Sequence, residues 1–145
     1  MPQLEELVKN IAADQYFAVL NSLGENLPYN NLVAFTVSDD LKSLVFITPR
    51  NTRKYDNIKQ NARVSLLIDN RTNQPSDISQ ALAVTVIGTA QEETREKNHW
   101  QKLLLDKNTE LEKFINDPDN IVIKVTVSEY IIASFVTTQR LIISS

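Results

Sequence analysis

The stretch Ile121-Val122-Ile123-Lys124-Val125-Thr126-Val127-Ser128 alternates with a period of two: Ile121, Ile123, Val125 and Val127 share one side, Val122, Lys124, Thr126 and Ser128 the other. Successive side chains of a strand point to opposite faces, so the pattern predicts a β-strand with one buried face and one mostly polar face. Downstream, Tyr130 to Phe135 and Leu141 to Ile143 supply more strand. Upstream, Asp117-Pro118-Asp119 stops a helical stretch over residues 93–116, because the residue before a proline is pushed out of helical backbone. Trp100, Leu103, Leu104, Leu111, Phe114 and Ile115 fall on roughly one face of that stretch, and Asp106 to Thr109 is where it is expected to break in two.

Closer to the N-terminus, Leu82 to Ala90 has strand character, with Gly88 marking a bulge or a point of close approach. Val64 to Ile68 is another strand, followed by the polar loop Asp69 to Asp77. Before it come a helix-compatible segment, Asn51 to Asn61, and three apolar runs. These are Tyr16 to Leu23 ending at Gly24, Leu32 to Val37 ending at Ser38-Asp39-Asp40, and Leu44 to Ile47 ending at Thr48-Pro49. Such runs between turn residues predict a three-stranded meander. Leu4, Leu7, Val8 and Ile11 behind Pro2 predict an amphipathic helix over residues 3–13 that caps an apolar surface. The fold expected is mainly β: six to seven antiparallel strands closed into a small barrel, with an N-terminal helix and a helical insertion near residues 93–116. Closure is the best way for a sheet of this size to remove its edges.

A chain of 145 residues suits one domain spanning residues 1–145. Cysteine is absent, which excludes disulfides, thiolate metal sites and a nucleophilic thiol. A net charge of -3 argues against nucleic acid or an anionic membrane as partner, since both need a positive surface field. Glu5 and Glu6 stand where a secretory leader would be basic, and no apolar run approaches the length of a bilayer span, so a cytoplasmic location is expected.

The chemistry concentrates in Thr48-Pro49-Arg50-Asn51-Thr52-Arg53-Lys54-Tyr55-Asp56-Asn57-Ile58. If Asn51 or Thr52 caps a helix running to about Asn61, Arg53 and Lys54 sit in its first turn. There the helix dipole disfavours cations by roughly 0.3–1 kcal/mol each. An anion docked at that end removes the conflict, because free backbone N–H groups, the dipole and two cations then serve one phosphate. The plainer alternative is that Arg50, Arg53, Lys54, Lys59 and Arg63 form a solvated basic face. The two glycines, Gly24 and Gly88, lie in no glycine-rich loop, so side chains would have to hold the phosphate.

The series Ala18-Val19-Leu20, Gly24, Leu27-Pro28-Tyr29, Leu32-Val33-Ala34-Phe35, Asp40-Leu41, Leu44-Val45-Phe46-Ile47-Thr48, Thr52-Arg53-Lys54, Asn57-Ile58, Asn61, Val64 resembles the pyridoxamine-phosphate-oxidase-like, FMN-binding split β-barrel superfamily. The resemblance covers residues 16–68 and continues loosely through Gly88. It implies FMN as cofactor, with Thr48, Thr52, Arg53 and Lys54 at the phosphate and Ile47 at the flavin edge. It further implies that Asn70 and Arg71, with Ser79 and Gln80 opening the next strand, face the isoalloxazine ring. It implies a homodimer with two cofactor sites at the interface, and an oxidoreductase acting on a reduced nicotinamide or small substrate. Thr137-Thr138-Gln139-Arg140-Leu141-Ile142-Ile143 lacks the arginine and histidine pair that grips pyridoxal phosphate in the vitamin-B6 oxidases, which argues against that reaction. A flavin-binding or flavin-sensing module without turnover, and a haem- or deazaflavin-binding barrel, stand as alternatives.

His99, the single histidine, is expected at a surface or interface, with a haem-ligand role as the sharper reading. Trp100 is expected to pack the late helix onto the barrel. Glu92, Glu93 and Glu96 read as a solvated helix start. No carboxylate pair stands out as acid and base, and a flavoprotein needs none, because the cofactor carries the redox chemistry.

Overall fold

A computed structural model describes residues 2–144. Helix α1 (Pro2–Asp14) precedes the meander β1 (Phe17–Gly24), β2 (Leu27–Val37) and β3 (Ser43–Pro49). Then come α2 (Arg53–Gln60), β4 (Arg63–Asp69), the short α3 (Asp77–Gln80) and β5 (Ala83–Glu92). The chain ends with α4 (Lys97–Lys107), a 3-10 turn (Thr109–Leu111), α5 (Glu112–Asn116), β6 (Asn120–Ala133) and β7 (Thr138–Ile142). All pairings are antiparallel, in the order β3-β2-β1-β4-β5-β6, and β6 pairs back onto β3. The expected barrel is therefore closed by six strands, and β7 adds an outer strand along β6.

The long strand β6 serves two partners in turn: Asn120 to Thr126 pairs with β3, and Glu129 to Ala133 pairs with β7. The changeover is a bulge, where Ile87 faces Glu129 and Gly88 faces Val127, leaving Ser128 as the extra residue. The Ser128 hydroxyl donates to the Ile87 carbonyl at 3.0 Å. Gly88 is thus the point of close approach, because a Cβ there would collide with the Thr126 carbonyl oxygen.

Leu20, Phe35, Phe46, Leu66, Val86, Ile123 and Tyr130 fill the interior. Leu4, Val8 and Ile11 of α1 and Tyr55 and Ile58 of α2 join the same core. On the outside, Trp100 and Leu104 of α4 cover Val45, Ile47 and Val122, so β3 is buried on both faces. That explains why Leu44 to Ile47 reads as a continuous apolar run rather than an alternation.

Three expectations need correction. Strand β2 starts at Leu27, not Leu32. Glu25 and Asn26 form a two-residue turn with φ of 53° and 64°, the left-handed pair that lets a hairpin strand restart at once. Ser79 and Gln80 end α3 and do not open a strand. Glu92 and Glu93 do not begin a helix: Glu92 closes β5, and Glu93 accepts from the Arg95 and Glu96 amides and lies 3.8 Å from the Lys124 ammonium. The late helix does break as expected, at Asn108, whose side chain accepts from the Glu110 amide at 3.2 Å.

Leu41 holds a left-handed backbone (φ 64°) with its side chain buried. The buried Tyr130 hydroxyl donates to its carbonyl at 2.7 Å and secures that strained turn. Burial pushes the Tyr130 phenol well above its ordinary pKa, so it stays a donor at all physiological pH. Tyr130→Phe leaves the carbonyl unpaired, and the unfolding free energy in urea is expected to fall by about 1–3 kcal/mol at unchanged m-value.

Candidate functional site

Strands β2 and β3 pair only from Phe35↔Phe46 to Val37↔Leu44. Beyond that point β2 continues with β1 back to Leu27, while β3 continues with β6 as far as Pro49. The two strands part, and the first turn of α2 contacts both. The Lys54 ammonium donates to the Thr48 hydroxyl of β3 at 3.0 Å, and the Arg53 guanidinium lies 4.6 Å from the ring centroid of Tyr29 on β2.

This helix start is uncapped. Thr52 has extended backbone (φ -132°, ψ 153°), and its hydroxyl donates to the Pro49 carbonyl at 3.0 Å instead of accepting from a helix amide. The Asp56 amide reaches the Thr52 carbonyl at 3.1 Å, leaving the amides of residues 53–55 ahead of it without a helical acceptor. Lys54 has no carboxylate within ion-pair distance among the described residues, and burial lowers its pKa below the usual lysine range. Amides without helical acceptors and the positive end of the helix therefore adjoin a cation that reaches Thr48, which is 1 % exposed.

Behind this first turn, α2 is fixed on two sides, to β5 and to β1. The Tyr55 hydroxyl donates to Glu92 at 2.9 Å, and the Arg50 guanidinium reaches the same oxygen at 3.4 Å. The Asn57 amide donates to the buried Ser22 hydroxyl at 3.1 Å, and a Cβ at Gly24 would collide with the Asn57 side chain. Gly24 thus lets α2 sit close against β1.

The structure brings together Thr48, Thr52 and Lys54, with Arg53 beside them on Tyr29. Ile47 points to the opposite face of β3 and packs against Trp100 and Leu104. Asn70, Arg71, Ser79 and Gln80 belong to a separate region. There the Asn70 side chain accepts from the Leu82 amide at 2.7 Å, Arg71 pairs with Asp69 at 2.9 Å, and the Ser79 hydroxyl donates to the Ser76 carbonyl at 3.1 Å. Asp77 organises that loop by accepting from the amides of Thr72, Asn73 and Gln74, which hold its carboxyl below its usual pKa. A cleft of about 410 Å³ opens beside it, walled by Leu67, Arg71, Leu82, Ala83 and Phe135. Thr48, Thr52, Arg53 and Lys54 do not line it.

One residue the sequence reading did not select also reaches this area. Tyr29 supports Arg53, and Asn31 shares its face of β2 and carries a buried side-chain oxygen with no hydrogen-bond partner. The signal was available: once β2 starts at Leu27, Tyr29 and Asn31 fall on the same side as the buried Val33 and Phe35. The outer face of the sheet carries an exposed apolar row. Val19 pairs with Leu32 on one side and Leu67 on the other, and Leu32, Leu67 and nearby Phe17 are 68 %, 37 % and 52 % exposed.

A closed six-stranded antiparallel barrel whose opening between β2 and β3 holds a basic helix start defines a split-barrel protein. A family model described as pyridoxamine 5'-phosphate oxidase matches residues 4–132, and the chain belongs to that family. No curated protein matches the sequence. Among solved structures, a haem-binding protein from Mycobacterium smegmatis superposes with a TM-score of 0.85 at 19 % identity, covering 98 % of this chain and 59 % of the other. General stress protein 26 from Bacillus anthracis gives 0.71 at 22 % identity, with 96 % and 99 % covered. The haem storage protein of Vibrio cholerae gives 0.72 at 12 % identity, with 96 % and 94 % covered. At these identities the likeness is one of fold. No described helix is long and apolar enough to cross a membrane.

Proposed function

We propose that the chain binds FMN by its phosphate at the start of α2 and works as an oxidoreductase in a homodimer. The single observation that carries this reading is Lys54: a half-buried cation with no carboxylate partner among the described residues, held on the Thr48 hydroxyl beside an uncapped helix end. Those donors fit a phosphate dianion. FMN, when bound, supplies hydride or electron transfer between a reduced nicotinamide or small substrate and an acceptor. The protein's part is to fix the phosphate with Lys54, Arg53, Thr48 and the first-turn amides, and to exclude water from the ring.

A second copy fits the second task. The phosphate end and the Arg71 cleft do not meet within one chain, and the apolar row Leu32, Val19 and Leu67 leads along the sheet toward that cleft. In this reading a partner docked on the row brings its own Asn70–Gln80 region over the opening. Oxidation of pyridoxamine phosphate is not proposed, because Arg140 is engaged by Glu129 at 2.7 Å and no histidine accompanies it.

The solved haem proteins favour a second reading, a haem-binding barrel. It rests here on His99, exposed on α4 and stacked edge-on to Trp100 at 4.9 Å, which lines none of the clefts described in this chain. Titration of the protein with FMN and, separately, with haemin decides between them: flavin fluorescence quenched with a band near 450 nm against a Soret band. FMN affinity is expected to weaken as pH rises through the lowered pKa of Lys54, since the neutral amine no longer attracts a dianion. A pH-independent affinity, or haemin binding alone, overturns the FMN reading. NADH or NADPH oxidation by the loaded protein then separates enzyme from sensor.

A further inference from the structure

A cleft of about 340 Å³ lies at the other end of β2 from α2, between the last turn of α1 and the β2–β3 turn. Lys107, the last residue of α4, forms one wall. Its ammonium lies 3.7 Å from the ring centroid of Phe35 and donates to the Ala12 carbonyl at 2.8 Å. Lys9 lines the same cleft, and neither lysine has a carboxylate within ion-pair distance among the described residues. Burial lowers the Lys107 amine to about 8.

A lysine that only tied α4 to the carbonyl end of α1 would be a sufficient structural device. It would not need an open cleft beside it, nor a second lysine on the rim. The facing wall is also unusually fixed for a turn. Leu41 is held in its left-handed backbone by the Tyr130 bond to its carbonyl and by its own amide on the Ser38 carbonyl at 2.9 Å. Ala12, Ala13, Val37 and Leu41 give the cleft an apolar portion, beside the polar Asn10, Thr36 and Ser38. The result is a rigid, partly apolar hollow with an under-solvated cation at its side, and such a cation gains from an anion more than an exposed one does.

We propose that this cleft binds a small monocarboxylate, its carboxylate on Lys107 with Lys9 as second cation and its apolar body against Ala12, Ala13, Val37 and Leu41. A single negative charge is favoured over two, because Asp39 lines the same cleft and repels a dianion. The volume sits at the small end of ligand pockets, which run roughly 300–1,000 Å³, and so suits a body the size of a benzene ring. The proposal rests on nothing assigned to α2.

Sodium benzoate titrated into ¹⁵N-labelled protein tests it, with benzyl alcohol as the uncharged match and sodium chloride as the ionic control. Saturable amide shifts are expected at Ala12, Ala13, Val37 and Leu41 with benzoate alone. Benzoate affinity should fall tenfold or more in Lys107→Met, persist in Lys107→Arg, and be unchanged in Lys54→Met. Absence of saturable shifts in the native chain, equal shifts with benzyl alcohol, or undiminished affinity in a folded Lys107→Met overturns the site. Should Lys107→Met fail to fold, the side-chain titration of Lys107 in the native protein decides. A bound carboxylate favours the protonated amine, so benzoate must raise the midpoint from about 8 and must itself bind more weakly above it. Lys9 and Asp39 are the other titratable groups lining the cleft, and an unmoved Lys107 midpoint refutes the proposal.

Discussion

Arg53→Ala combined with Lys54→Ala is expected to strip FMN from the protein while the barrel keeps its fold. In the empty protein the two cations contribute little to stability. Both sit in the first turn of α2, where the dipole disfavours them by roughly 0.3–1 kcal/mol each, and Lys54 is partly desolvated without a counter-charge. Against that stand the Lys54 bond to Thr48 and the stacking of Arg53 on Tyr29, the latter worth about 0.5–1 kcal/mol at an exposed site. These terms nearly offset, so the urea midpoint should move by no more than the equivalent of about 1 kcal/mol. Binding is different, because each charge-assisted bond to the phosphate contributes about 1.5–3 kcal/mol. Losing two weakens FMN by roughly two to four orders of magnitude. Flavin occupancy on purification and a fluorescence titration measure this. A double variant that purifies as yellow as the native protein removes the phosphate anchor from α2.

The sequence made the fold legible where one physical rule acted alone. Ile121 to Ser128 obeys the period of two because one side of β6 faces the interior, and Leu44 to Ile47 lacks it because α4 covers the other side of β3. Misreadings arose where two rules competed. Pro28, Asn30 and Asn31 have turn chemistry, yet they lie in β2 because a left-handed pair at Glu25-Asn26 resets the strand and β1 pairs with them throughout. Glu92 and Glu93 look like a helix start, yet the first closes β5 and holds Tyr55, and the second accepts from the Arg95 and Glu96 amides ahead of α4.

The candidate site was half legible for a similar reason. The conflict of Arg53 and Lys54 with the helix dipole is local and visible in one dimension. The parting of β2 from β3 is a property of pairing, so Tyr29 and Asn31 did not declare themselves until the strands were placed. Ile47 follows from the same limit: next to Thr48 in sequence, it points the opposite way, into the packing beneath Trp100.

Leu32→Glu is expected to convert a dimer to monomers and to carry flavin affinity down with it. Leu32 is 68 % exposed and faces Val19 across the strand pair, so a glutamate there meets water in an isolated chain and leaves the barrel intact. In a two-fold dimer the same residue occurs twice, and burying each leucine contributes about 1.5–3 kcal/mol. Two glutamates placed in the apolar row with no partner add a desolvation cost on top. Together these weaken association by at least three to six kcal/mol, or about two to four orders of magnitude in dissociation constant. Light scattering across a concentration series reads the association, and an FMN titration on the same samples reads the site. Since the substitution lies away from the Lys54–Thr48 pair, flavin lost together with the dimer means that the partner completes the pocket. Monomers that hold FMN as tightly as the native protein would confine the site to one chain, and native protein that is itself monomeric would leave the apolar row without the role given to it.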